Sequence, residues 1–205
     1  MQIEEYLADP CMASSLPYWK TESFSVPKGI TIIRDDMFSG SGYSGNDEPY
    51  FKMIHHLQTI PEAPLPEGYG IIQAGMDDFA AQINSCYTYE YISADELLDY
   101  RSHPVYMPEL WVAVADLKRD IIVATGIAEY DSRIGEGILE WIQVLPEYRR
   151  KGLGAFIICE LLRRLRLNQA RFVTVSGRMN NESGPYALYT ACGFGNPVIW
   201  HVVKN

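Results

Sequence analysis

The sequence predicts an α/β fold, and three observations carry that prediction. Between Gly137 and Leu167 a short apolar stretch runs through a basic, glycine-containing turn straight into an amphipathic stretch of helical period. Strand and helix patterns follow one another regularly from Gly68 to the last residues. Ahead of them, residues 1–66 look unlike the rest and end in a proline cluster, which predicts an N-terminal extension. At 205 residues, 47% hydrophobic and 21% charged, the chain can build one sizeable core with an appendage.

Within the extension, Met1 to Ala8 predicts a short helix ending at Asp9-Pro10, followed by a segment of turn formers and aromatics. Gly29 to Ile33 predicts a strand. Phe38 to Tyr50, FSGSGYSGNDEPY, is rich in glycine and serine and predicts a loop. Phe51 to Leu57 predicts a short helix. Pro61, Pro64 and Pro66 predict an extended connector and thus a boundary between an extension, 1–66, and a main domain, 67–205. Aromatic residues such as Tyr18, Trp19, Phe24 and Phe51 predict that the extension docks on that domain. The extension carries no motif.

From Gly68 the elements are clearer. Tyr69 to Ala74 predicts a strand, and Met76-Asp77-Asp78 opens a helix through Tyr87 with acids in its first turn, where the helix dipole favours them. Ser93 with Glu96 three residues on is a capping box that starts a second helix, ended by His103-Pro104. Leu110 to Ala115 and Ile121 to Tyr130 flank a polar turn and predict a hairpin. Ile138 to Val144 is a short, apolar, β-branched strand. The helix after the turn places Ile158, Leu162 and Leu165 on one face and arginines in its later turns. Arg171 to Ser176 predicts a strand, Pro185 to Ala191 a short helix stopped by Gly193, and Val198 to Val203 a last strand.

The turn itself reads Arg149-Arg150-Lys151-Gly152-Leu153-Gly154, continuing into Ala155. Its glycines let the backbone turn sharply and let a ligand approach the main chain. The first N–H groups of the helix lack internal partners, so with three cations beside them they predict a pyrophosphate cradle. The pattern has no third glycine for a dinucleotide fingerprint and no Gly-Lys-Ser/Thr for a P-loop.

Arg-x-x-Gly-x-Gly after a strand resembles motif A of the GNAT acetyltransferase superfamily. Leu188-Tyr189-Thr190-Ala191-Cys192-Gly193-Phe194 resembles that family's Leu-Tyr-x-x-x-Gly-Phe. The order β-α-α-β-β-β-α-β-α-β over residues 68–205 is also similar to the family's. The resemblance implies a mixed central sheet flanked by helices, with acetyl-CoA as co-substrate. It implies that Arg149, Arg150, Lys151, Gly152, Leu153, Gly154 and Ala155 hold the pyrophosphate. It further implies that Ile142, Gln143 and Val144 offer main-chain groups to the pantetheine arm and acyl carbonyl. The family often has Asn seven residues before the tyrosine. Here that place is Glu182, so Asn181 is taken as the cofactor contact.

Acetyl transfer to an amine needs a base, because a lysine-type amine of pKa about 10.4 is mostly protonated at neutral pH. It also needs a proton for the departing thiolate. Glu140 stands in the middle of GILEWIQV, on the face of Ile138 and Ile142 by the strand period of two, where an unpaired carboxylate would be costly. It aligns with the position where several GNAT enzymes carry a general base. The alternatives are a carboxylate facing solvent or one paired with an arginine. Tyr189 matches the family tyrosine that protonates the leaving thiolate; the alternative is an aromatic that fixes the last helix.

A net charge of −9 argues against nucleic-acid binding, and no apolar run approaches membrane-spanning length. The N-terminal residues lack a basic-then-apolar signal, and Cys11, Cys86, Cys159 and Cys192 read as reduced thiols, which together predict a cytoplasmic protein. Cys159 and Cys192 fall on core-facing positions. Four scattered histidines and no metal-type cysteine spacing predict no metal site. The expected partner is a small-molecule or peptide amine, and a homodimer stays open. Two functions remain: an acetyl-CoA-dependent N-acetyltransferase, or an acyl-CoA-binding module without turnover.

Overall fold

The structure, a computed structural model, describes residues 1–40, 43, 45–87 and 91–205. Three short helical segments, α1 (Ile3–Ala8), α2 (Pro10–Ala13) and α3 (Tyr18–Thr21), precede two strands, β1 (Ile30–Arg34) and β2 (Asn46–His55). After the proline connector come β3 (Tyr69–Ile72), α4 (Met76–Cys86), α5 (Ala94–Asp99), β4 (Trp111–Asp116), β5 (Ile121–Asp131) and β6 (Glu136–Val144). Then follow α6 (Leu153–Leu167), β7 (Phe172–Arg178), α7 (Pro185–Ala191) and β8 (Gly195–Lys204). All eight strands form one mixed sheet in the order β1-β8-β2-β7-β6-β5-β4-β3, in which β6 and β7 are the parallel pair.

The main-domain elements form where their local signals place them. Ser93 Oγ accepts from the Glu96 N–H at 3.2 Å, and Glu96 Oε2 accepts from the Ser93 N–H at 2.7 Å, so the capping box closes at the start of α5. The helix expected through Tyr87 ends at Cys86.

Residues 46–57 depart from expectation. Asn46–His55 is a strand, so the loop does not extend to Tyr50 and there is no helix over 51–57; residues 41, 42 and 44 of the expected loop lie outside the described residues. The reason is non-local. β2 runs between β7 and β8 and is buried on both faces, with Phe51 and Met53 in the core under α6. Lys52, only 1% exposed, and Ile54 lie on the opposite face. A buried lysine in the middle of the strand hides the alternation that would announce it. Strands from both sides of the proline connector therefore share one sheet.

The two faces of the sheet have different cover. One packs on α6 and α7, where Ile157, Ile158, Leu161, Leu162 and Leu165 meet Val173 and Val175. On the other face, α4 and α5 cluster with Ala113 and Ile127 of β4 and β5, while the N-terminal segment clusters with Ile54 and Phe172 of β2 and β7. A buried polar cluster fastens the latter. Glu136, fully buried, accepts from Tyr6 Oη at 2.6 Å, from the Tyr18 N–H at 3.0 Å and from Thr174 Oγ1 at 2.6 Å. Lys52 Nζ donates to Tyr6 Oη and to the carbonyls of Pro10, Ser14 and Leu16 at 2.7–3.0 Å. Among the described residues no helix is long and apolar enough to cross a membrane.

Candidate active site

Strands β6 and β7 stop pairing halfway. Their parallel register runs from Glu136↔Phe172 to Leu139↔Val175 and ends there. Beyond it β6 continues to Val144 and β7 to Arg178 without pairing, which opens a wedge. On that side of β6, main-chain groups of residues 140–144 meet no β7 partner, so an extended ligand arm can bond them as an added strand would. At the wedge's closed end lies a cavity of about 180 Å³, lined among others by Lys20, Leu139, Glu140, Val175 and Ser176.

Glu140 stands at the first position past the last pair. It is also a bulge residue: Trp141 faces Ile127 and Leu139 faces Ala128, leaving Glu140 without a partner in β5. The bulge corrects one expectation. Leu139 and Ile142 both pack in the core under α6, so Ile142 points to the face opposite Glu140 and Ile138. Bulges re-aim side chains next to functional sites, and here the carboxylate is turned to the face that the N-terminal segment covers.

Glu140 accepts a 2.7 Å charge-assisted bond from Lys20 Nζ of α3. The expected alternative, pairing with an arginine, is thus replaced by pairing with a lysine 120 residues away. Beside them Glu129, 2% exposed, accepts from Trp19 Nε1 at 3.0 Å and lies 3.4 Å from His103 Nδ1. Burial, and then the charge of Glu140, push the Glu129 pKa up to about 8. Burial opposes the charge on Lys20, but Glu140 and Glu129 outweigh it and its pKa is raised. The His103 pKa is lowered by burial and by Lys20. Aromatic rings enclose the group: Lys20 Nζ lies 5.3 Å from the Trp19 ring centre, and Trp19 and Tyr100 each lie 4.9 Å from the His103 ring. Sequence reasoning missed Lys20, Trp19, Tyr100, His103 and Glu129. Glu129 had a signal, a carboxylate inside the apolar run Ile121–Tyr130; the others had none.

At the open end of β6 the turn adopts a strained conformation. Arg150 (φ 63°) and Gly152 (φ 87°) are both left-handed, one on each side of Lys151. Gly152 caps α6, and a Cβ added there would meet only Pro66 at 3.7 Å, so its conformation rather than crowding calls for glycine. A Cβ on Gly154 would come within 3.0 Å of Leu188 Cδ2. Arg149 folds back to donate from Nε to the Val144 carbonyl at 3.2 Å, which braces the strand end. Lys151 Nζ sits 4.5 Å from the Tyr148 ring centre, and Arg149, Arg150 and Lys151 are exposed. Leu153 is buried and Ala155 half-buried, which leaves their side chains turned into the fold. Gln143 is 4% exposed; its amide nitrogen bonds Thr125 Oγ1, and its Oε1 has no partner.

Tyr189 lies on α7, 7% exposed, packed edge-on against Phe51 and Phe194. Burial raises its pKa, so the phenol keeps its proton. Asn181 does not reach out of its loop: its Oδ1 accepts from the Ser183 N–H at 2.9 Å and from Ser183 Oγ at 2.7 Å. Cys159 and Cys192 are buried packing residues. Among the described residues no group of histidines, cysteines and carboxylates is arranged to hold a metal.

Residues 108–195 match the family model described as an acetyltransferase (GNAT) domain. No curated protein matches the sequence. Among solved structures, a GCN5-related N-acetyltransferase from Sphaerobacter thermophilus aligns at 20% identity with a TM-score of 0.68, covering 85% of this chain and 59% of its own. The chain thus spans about three-fifths of that protein's length. A functionally unknown conserved protein from Staphylococcus epidermidis aligns at 11% identity and TM-score 0.60 over 99% of this chain and 81% of its own, so its match takes in the N-terminal strands. The ribosomal-protein-S18-alanine N-acetyltransferase from Escherichia coli aligns at 16% identity and TM-score 0.52, over 67% of this chain and 94% of its own. Identities this low compare folds, but the family model matches the very segment that builds the bulged strand, the basic turn and Tyr189, and that segment, residues 108–195, belongs to the GNAT superfamily.

Proposed function

We propose that the chain is an acetyl-CoA-dependent N-acetyltransferase that moves an acetyl group to a primary amine by direct attack in a ternary complex. The observation that carries this reading is the place of Glu140, a bulged carboxylate at the point where β6 and β7 part. Acetyl-CoA lies in the wedge, its pantetheine arm along Ile142–Val144 and its pyrophosphate on the N–H groups of Gly152–Ala155, flanked by Arg150 and Lys151. The amide nitrogen of Asn181 is the group it would bring to the cofactor. Glu140 takes the amine proton, and Tyr189, kept protonated by burial, returns one to the thiolate. A cytoplasmic setting belongs to this reading, supported by four free cysteines.

The reading of an acyl-CoA-binding module without turnover draws on one observation, the Lys20 ammonium already seated on Glu140. Thiol release from acetyl-CoA across a panel of primary amines separates the two. Amine-dependent release supports transfer. Binding of acetyl-CoA with no release on any amine supports the module.

A further inference from the structure

Two lysines line the cavity at the parting of β6 and β7, Lys20 and Lys52, and they are held in different ways. Lys52 Nζ is boxed in by Tyr6 Oη and three main-chain carbonyls at 2.7–3.0 Å, beneath the N-terminal segment. Lys20 Nζ instead bonds Glu140 Oε1 at 2.7 Å, with 28% of its side chain exposed. The two residues before it are fastened to the sheet, since the Tyr18 N–H donates to Glu136 and Trp19 Nε1 donates to Glu129, each at 3.0 Å. The chain therefore presents an amine to the candidate base, in the cavity where an acyl group would arrive.

We infer that Lys20 is a self-acetylation site, modified by acetyl-CoA with Glu140 as the proton acceptor. The inference rests on the transferase reading above. Glu140, in direct contact, holds Lys20 as an ammonium, so the nitrogen becomes a nucleophile only after one proton passes to Glu140. The Nζ lone pair then forms the N–C bond at the thioester carbonyl, and the C–S bond breaks with its electron pair on sulfur. The nitrogen loses its second proton as the amide forms, and the thiolate is protonated. The products are acetyl-lysine, free CoA thiol and one proton released to solvent. Because amine and base are already in contact, the step needs no encounter with a second molecule beyond the bound thioester.

The test is to incubate the full chain with acetyl-CoA and no added amine, and follow each lysine by peptide mass spectrometry. Calorimetry on the same sample reads acetyl-CoA binding. Lys20 should be acetylated at least about 10-fold faster than the exposed Lys28, Lys118 and Lys204, at a rate independent of protein concentration. Glu140→Gln should slow Lys20 by roughly 100-fold and leave the other three unchanged. If acetyl-CoA binds and Lys20 reacts no faster than those surface lysines, self-acetylation is overturned while the transferase reading stands. If acetyl-CoA does not bind, both fall.

Discussion

Tyr6 Oη donates a 2.6 Å hydrogen bond to Glu136 Oε1 across 130 residues of sequence, tying the first helix of the chain to the strand that carries Glu140. The same phenol oxygen receives Lys52 Nζ at 3.0 Å, so one hydroxyl links a buried cation and a buried anion. Tyr6→Phe removes a bond from each and should cost about 1–3 kcal/mol of stability, read by urea unfolding. An unchanged unfolding midpoint would show that Lys52 and Glu136 find other partners.

A chain beginning at Glu67 should fail to fold. It would lose β1 and β2, leaving β7 and β8 without the strand between them and their main-chain groups open to aggregation. Circular dichroism and gel filtration check this. A soluble, cooperatively folding fragment would show that the sheet closes without β2.

Glu140→Gln keeps size and hydrogen bonding but removes basicity, so turnover should fall roughly 100-fold or more while acetyl-CoA affinity barely moves. The defect should shrink at high pH, where more acceptor amine is already neutral. Tyr189→Phe should also lower turnover, but with no rescue at high pH, because the thiolate still departs unprotonated. Parallel pH profiles for the two variants would refute this division of roles.

Gly154→Val should separate binding from folding. Its Cβ meets the flexible end of Leu188 rather than backbone, so the fold should survive. The main chain, however, can no longer approach a pyrophosphate, and acetyl-CoA affinity should drop sharply in calorimetry. Gly152→Val should lose stability as well, since φ of 87° costs a side-chain-bearing residue about 1–2 kcal/mol. Native affinity in Gly154→Val would remove the turn from the binding site.

Glu129 makes stability depend on pH. Its folded pKa of about 8 lies above the ordinary 4.5, so the folded chain holds a proton that the unfolded chain releases between those values. Its contribution is fully present below pH 4.5 and is lost as pH rises towards 8. Lys52 acts in the opposite sense at higher pH, because burial lowers its pKa from 10.5 to about 8 and stability rises across that interval. Glu129→Gln stays neutral throughout, so unfolding curves at pH 5 and pH 8 should show wild type losing stability relative to the variant. Equal differences at both pH values would rule out the protonated Glu129.

The strand, basic turn and helix at 137–167, the capping box at Ser93 and the helix of Tyr189 are legible in the linear chain. Each of these is set by local requirements: left-handed backbone at Gly152, orphan N–H groups at a helix start, and side chains three or four residues apart. Tertiary structure decided the rest. β2 is a strand because β7 and β8 pair with both its edges while the core under α6 and the N-terminal segment cover its two faces, a condition no property of residues 46–55 announces. The bulge that turns Ile142 away from Glu140 arises from a register shift against β5. Glu140 itself stood out as an awkward carboxylate in an apolar strand. That it meets a lysine, beside a second buried carboxylate and a set of aromatic rings, follows only from folding the first 21 residues onto the far face of the sheet. Charges interact through space in a low-dielectric interior, and a linear pattern does not record which distant residue will complete the pair.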